Sequence, residues 1–302
     1  MSIKKADVKK YLDPEVISGL KSLELRAKMI VEGFMVGLHR SPYHGFSVEF
    51  AEYRPYIQGD SIRNIDWKVF AKTEKYYLKK YEDETNLICN IFIDCSKSMN
   101  FKHSAKVTKL DYAINLAAAL SYILINQQDS VGLVVYSDNV KEYLQPKSSR
   151  FYLKTIFTEL ANIKSDGKTN TSIALNSIAD KIKKRGLTII ISDFFDDLDS
   201  TISAIKKIHF KKNEIIIFQI LDPIEINFGF ERDSTFIDLE TNEKLSSQPH
   251  HIQLAYQEAM NEFLTKLKRE CLNLNIDYNL IETNQTFEKA LLSYFAKREK
   301  LH

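Results

Sequence analysis

Apolar residues in this chain gather into two kinds of run. Short, nearly unbroken blocks recur at 87–94 (LICNIFID), 130–137 (SVGLVVYS), 187–193 (LTIIISD) and 214–221 (EIIIFQIL). Longer segments between them place apolar residues at helical spacing. A block of this length without polar alternation fits a strand covered on both faces. Its regular alternation with helical segments predicts a parallel sheet between two layers of helices.

The segments between the blocks extend this pattern. KLDYAINLAAALSYILIN, from Lys109 to Asn126, carries apolar groups around most of its circumference and is expected to be a buried helix. VKEYLQP at 140–146 reads as an antiparallel edge strand stopped by Pro146. Helices are expected over 149–163 and 172–185, the second ending at Gly186 in a helix C′ role. Downstream the pattern predicts a helix over 198–209, a hairpin around INFGF and TFIDL, a helix over 251–272, the strand NIDYNLIE and a last helix over 286–298. The expected class is α/β, with five or six main strands, mostly parallel, and helices on both faces. A smaller N-terminal module containing strands is expected over 1–85, and the sheet domain over 86–302.

Composition narrows the function classes. With 302 residues and 44% hydrophobic content, the chain can bury one large core. A net charge of +2, with both signs interspersed, offers no basic field for nucleic acid. Three cysteines, Cys89, Cys95 and Cys271, form no CxxC pair and no disulfide framework, which suits a reducing compartment. No stretch reads as a signal peptide or reaches membrane-spanning length, so a cytoplasmic protein without membrane insertion is expected.

Candidate chemistry sits at the ends of two strands. Asp94 closes the first block and is followed by Ser96 and Ser98 in a DxSxS spacing. Polar groups at the carboxyl end of a parallel strand fall where open α/β sheets bind ligands. All three side chains offer only oxygen, which suits a hard cation such as Mg²⁺ better than zinc or copper. For a DxSxS taken alone, the simpler reading is a capped turn with two ordinary loop serines. Asp193 closes the third block, so two strands deliver a carboxylate to one edge of the sheet.

Asp94, Ser96, Ser98, the segment GKTNTSIAL with Thr169, and Asp193 in IISD, in that order, resemble the metal-ion-dependent adhesion site of von Willebrand factor A domains. The resemblance implies that these five residues hold a divalent ion, Mg²⁺ or alternatively Mn²⁺ or Ca²⁺, and that a partner's Asp or Glu completes its coordination. Thr171 also offers a hydroxyl, but the resemblance favours Thr169 as ligand and leaves Thr171 as a helix N-cap. Upstream, residues 37–85 resemble the bacterial family known as domain of unknown function 58, on His39, Ser41, Gly45, Phe50, Arg54, Tyr56, Gly59, Asp60, Arg63, Asp66 and Trp67. Arg54, Asp60, Arg63 and Asp66 alternate in sign and are expected to pair internally. Relatives in that family are typically encoded beside MoxR-class AAA+ ATPases, which suggests such an ATPase as partner.

Enzymatic readings fit less well. DGKT at 166–169 resembles the end of a phosphate-binding P-loop, but the required earlier Gly position holds Asn162 and a helix precedes it. A phosphohydrolase of the haloacid dehalogenase type needs a second Asp where Ser96 stands, and no general acid is evident. The seven histidines are scattered, and no nucleophile and base pair stands out. The expected function is a non-enzymatic, metal-dependent protein-interaction module. Its alternatives are a Mg²⁺-dependent phosphohydrolase and a scaffold with a vestigial metal site.

Overall fold

The computed structural model describes residues 12–38, 53–55, 67, 70, 76–79, 87–182, 185–230, 234–239, 243–247 and 249–299. Helices α1 (Pro14–Ser18) and α2 (Leu23–Leu38) come first, then a short antiparallel ladder of β1 (Tyr53–Pro55) and β2 (Tyr77–Lys79). The main alternation runs β3 (Ile88–Asp94), α3 (Lys109–Asn126), β4 (Ser130–Tyr136), β5 (Val140–Lys147), α4 (Arg150–Asn162) and α5 (Thr171–Ala179). It continues through β6 (Leu187–Ser192), α6 (Leu198–Phe210), β7 (Glu214–Leu221) and a short α7 (Pro223–Asn227). The hairpin β8 (Ser234–Ile237) and β9 (Lys244–Ser247), α8 (Pro249–Asn273), β10 (Asp277–Glu282) and α9 (Glu288–Glu299) close the chain.

Six strands form the central sheet in the spatial order β10-β7-β6-β3-β4-β5. Every pair is parallel except β4 with β5, which run antiparallel at the edge. Pro146 is tolerated inside β5 because an edge strand does not need a complete ladder. The continuous apolar blocks have their physical reason in the two cores. Ile91 and Ile93 pack on one side with α3, α4 and α9, while Phe92 packs on the other with α5 and α6. Each fully buried side chain of this size contributes about 1.5–3 kcal/mol relative to exposure.

The N-terminal helices share the first core. Ile17, Ala27, Ile30 and Phe34 are buried in it, and the Phe34 ring stacks on Phe295 of α9 at 5.4 Å. The turn at Gly59 and Asp60 and the alternating charges at Asp60, Arg63 and Asp66 lie outside the described residues. Among the described residues no helix is long and apolar enough to cross a membrane.

Three local expectations are corrected. Helix α5 ends at Ala179, so Gly186 is not its C′ residue. Gly186 is instead required where β6 begins beside β3, because a Cβ there would meet the Ile88 carbonyl oxygen at 2.2 Å. In the hairpin, Thr235 to Ile237 pair with Lys244 to Ser246 rather than with INFGF. Asn227 ends α7, and Phe228 caps it in the left-handed conformation, which is why that segment does not extend into a strand.

Candidate metal centre

Adjacent strands β3 and β6 mark the place where the strand order turns back, since the chain moves from β3 to β4 on one side and returns to β6 on the other. In open α/β sheets the crevice outside the carboxyl ends at such a reversal is the ligand-binding position. Asp94 is the last residue of β3, and Asp193 is the first residue beyond β6. Both are completely buried.

The DxSxS segment leaves the sheet in a tight turn. Asp94 Oδ1 accepts from the Ser96 backbone N–H at 2.8 Å, and its Oδ2 accepts from Ser192 Oγ at 2.7 Å. Ser96 then opens a 3₁₀ turn over Lys97–Asn100, and its hydroxyl lies 3.0 Å from that of Ser98. A second loop is fastened to the first: Asp166 N–H donates to the Cys95 carbonyl at 2.8 Å, and Lys97 N–H donates to that of Gly167 at 3.1 Å. This clamp brings Thr169 Oγ1 to 3.4 Å from Ser98 Oγ. Gly167 has φ +75°, and a Cβ there would meet Ser137 Oγ at 2.8 Å, so the loop needs glycine on both counts.

Thr171 does not cap the following helix. Asn170 is the N-cap, its side-chain oxygen accepting from Ile173 N–H at 3.2 Å. Thr171 starts α5, and its own N–H donates to Asp196 Oδ2 at 2.8 Å. Asparagine outranks threonine slightly at this position, and an NTS sequence offers both choices one residue apart.

Asp193 is held on three sides. Its carbonyl accepts from Gln219 Nε2 at 2.9 Å, Oδ1 from Phe195 N–H at 3.1 Å, and Oδ2 from Lys109 Nζ at 2.8 Å. The next residue, Phe194, is buried with φ +61°, a conformation that costs a bulky residue about 1–3 kcal/mol. Phe194 N–H donates to Ser192 Oγ at 2.9 Å, so the same serine serves the bend and Asp94. Lys109 Nζ also donates to Glu225 Oε1 at 2.6 Å and lies 4.8 Å from the Phe195 ring centroid.

Electrostatics distinguish the two carboxylates. Burial, and then the charge of Asp193, push the Asp94 carboxyl up to about 7, against the pull of hydrogen bonds from Ser192 and Ser96. Among the described residues no lysine or arginine forms an ion pair with Asp94, whereas Asp193 has Lys109. Burial alone would lower Lys109, but Asp193 and Glu225 outweigh it and hold the ammonium above its usual value. Burial raises the Glu225 carboxyl, with Lys109 opposing.

Three hydroxyls and two carboxylates therefore converge with oxygen as the only donor atom. A buried acid without a basic partner, beside hydroxyls that can each turn a lone pair inward, fits a hard divalent cation. Ser96, Ser98 and Thr169 would be direct ligands. Asp94 and Asp193 would supply the negative charge, and the resemblance to the metal-ion-dependent adhesion site implies that they act chiefly through water.

Lys109, Ser192 and Glu225 were not anticipated from the sequence. Lys109 had one legible signal, a lysine in the first turn of a helix otherwise apolar nearly all round. Ser192 and Glu225 had none, since nothing in their local sequence says which neighbouring strand they will face.

Sheet order, reversed edge strand and helices on both faces make this a von Willebrand factor A-like α/β domain, the fold class expected from the sequence. The chain belongs to the family described as protein of unknown function DUF58, whose model matches residues 52–264. It is 24% identical over 234 residues to the uncharacterized protein Rv1480 of Mycobacterium tuberculosis, covering 76% of this chain and 72% of that one. The uncharacterized protein Mb1516 of Mycobacterium bovis matches with the same figures. Among solved structures, the conserved hypothetical protein BatB from Bacteroides thetaiotaomicron is similar at 15% identity and a TM-score of 0.49, covering 72% of this chain and all of that one. The SpRpn10 VWA domain is similar at 14% identity and a TM-score of 0.41, covering 69% and 94% respectively.

Proposed function

We propose that the protein is a non-enzymatic, divalent-metal-dependent interaction module, in which Asp94, Ser96, Ser98, Thr169 and Asp193 hold Mg²⁺ and a partner's Asp or Glu completes the coordination. The observation that carries this reading is the chain of hydroxyl contacts from Ser96 to Ser98 to Thr169 beside the buried Asp94, with the buried Asp193 at the end of the adjacent strand at the reversal of strand order. Neutral hydroxyl ligands leave much of a dication's charge uncompensated, and an incoming carboxylate supplies what is missing. Following the family resemblance, the proposed partner is a MoxR-class AAA+ ATPase in the cytoplasm, with this chain as the adaptor between that ATPase and its substrates.

The hydrolase alternative is less well supported by the geometry. The residue two places after Asp94 is Ser96, whose side chain offers a hydroxyl where that chemistry needs a second carboxylate as general acid. The proposal is tested by capturing the neighbouring ATPase on the immobilised full chain with Mg²⁺ and with chelator. Capture is expected with Mg²⁺ alone, and is expected to be lost in Asp94→Ala/Ser96→Ala. Equal capture under chelation would remove the metal from the account.

A further inference from the structure

Lys109 is placed where two separate effects oppose it. It is the first residue of α3, and the positive end of a helix dipole disfavours an ammonium there. Its side chain is also completely buried, which costs several kcal/mol unless opposite charges compensate. The compensation comes from two carboxylates that follow different strands: Asp193 after β6 at 2.8 Å and Glu225 after β7 at 2.6 Å. The Phe101 and Phe195 rings flank it, with centroids 5.7 and 4.8 Å from Nζ.

One of those two carboxylates belongs to the candidate metal centre, and this links Lys109 to the cation. Asp193 Oδ2 is occupied by the ammonium, and Oδ1 by the Phe195 N–H. With all groups ionised, three carboxylates (Asp94, Asp193, Glu225) and one ammonium (Lys109) leave a formal charge of −2 in place of the −3 of the acids alone. Both consequences act in one direction: a dication entering beside Asp193 meets a like charge and a carboxylate already in use.

We infer that Lys109 is a built-in cation competing with the divalent ion for Asp193, so that metal is held more weakly than the oxygen donors alone would hold it. The role is one of positioning and charge, and it rests on the metal-site reading given above. It also supplies a reason for the site to depend on a partner. A carboxylate arriving from outside restores the negative charge that Lys109 cancels, so metal and partner would bind most strongly together.

Calorimetric titration of Mn²⁺ into the full chain tests this in wild type, Lys109→Met and Lys109→Met/Glu225→Gln. Both variants are expected to bind Mn²⁺ more tightly than wild type, the single variant by at least about tenfold. The double variant neutralises Lys109 and Glu225 together and so keeps the wild type's formal charge of −2; its gain reports only the release of Asp193 Oδ2 from the ammonium, and it carries the test if the single variant does not fold. A purely structural lysine would lower the melting temperature without tightening metal binding. If wild type binds Mn²⁺ and neither variant binds it more tightly, the inference is overturned while the metal centre stands. If only the variants bind, the inference stands and the wild-type site holds the ion only together with a partner, which the capture experiment with Mg²⁺ and with chelator then decides. If none binds, both are overturned.

Discussion

Asp222, the first residue beyond β7, accepts hydrogen bonds from the backbone N–H groups of His103, Ser104 and Ala105 and from that of Ile224. It thereby ties the segment between the DxSxS turn and α3 to a strand two places away in the sheet. Burial alone would raise its carboxyl, but these N–H donors outweigh burial and hold it below the usual carboxylate range. A depressed carboxyl stabilises the fold above the unfolded-state value, about 3.9, and loses that contribution as pH falls through its lower folded value. Asp222→Asn should therefore cost about 1–3 kcal/mol near neutral pH. The gap to wild type in urea unfolding should narrow below about pH 4. At this scale the sequence was partly legible. Asp94 and Asp193 end conspicuous apolar blocks and Ser96 and Ser98 follow in register, but the partners of Asp193 come from 84 residues before it, at Lys109, and from the following strand, at Gln219.

Elements were more legible than their ends. Strands β3, β4, β6 and β7 announce themselves because burial on both faces leaves no polar alternation, and α3 because nearly all of its residues are buried. Helix α5 was overextended because helical periodicity continues past Ala179 through IKK, and the glycine that resembles a C-terminal cap answers a contact made 98 residues earlier in the chain, at Ile88. The distinction can be tested. A C′ glycine in the left-handed region would tolerate alanine at a cost of about 1 kcal/mol. A glycine whose Cβ would sit 2.2 Å from a backbone oxygen forces β6 away from β3. Gly186→Ala should cost more than that, about 1–3 kcal/mol or beyond, read by chemical denaturation. Because β6 carries Ser192 and leads into Asp193, the same variant should weaken metal binding, although it lies at the opposite end of the strand.

The molecule as a whole keeps its two sheet edges for different purposes. At the amino-terminal edge, Asp129 accepts from the Leu87 N–H at 3.1 Å and pairs with Arg298 of α9, a buried lock that joins the start of β3 to the last helix. At the carboxyl edge, Asp94, Ser96, Ser98, Thr169 and Asp193 meet, braced by Lys109 and Glu225 from the elements around them. Rigid elements support these residues from below, while the loops above provide the hydroxyls, the kind of arrangement a preorganised site needs. The proposed function requires that a divalent ion be held there by those hydroxyls. Titrating Mg²⁺ into the full chain by calorimetry, for wild type and for Ser96→Ala/Ser98→Ala, is the most direct test. One ion bound per chain in wild type and none in the variant is the predicted result; no binding to wild type, or equal binding to both, would contradict it.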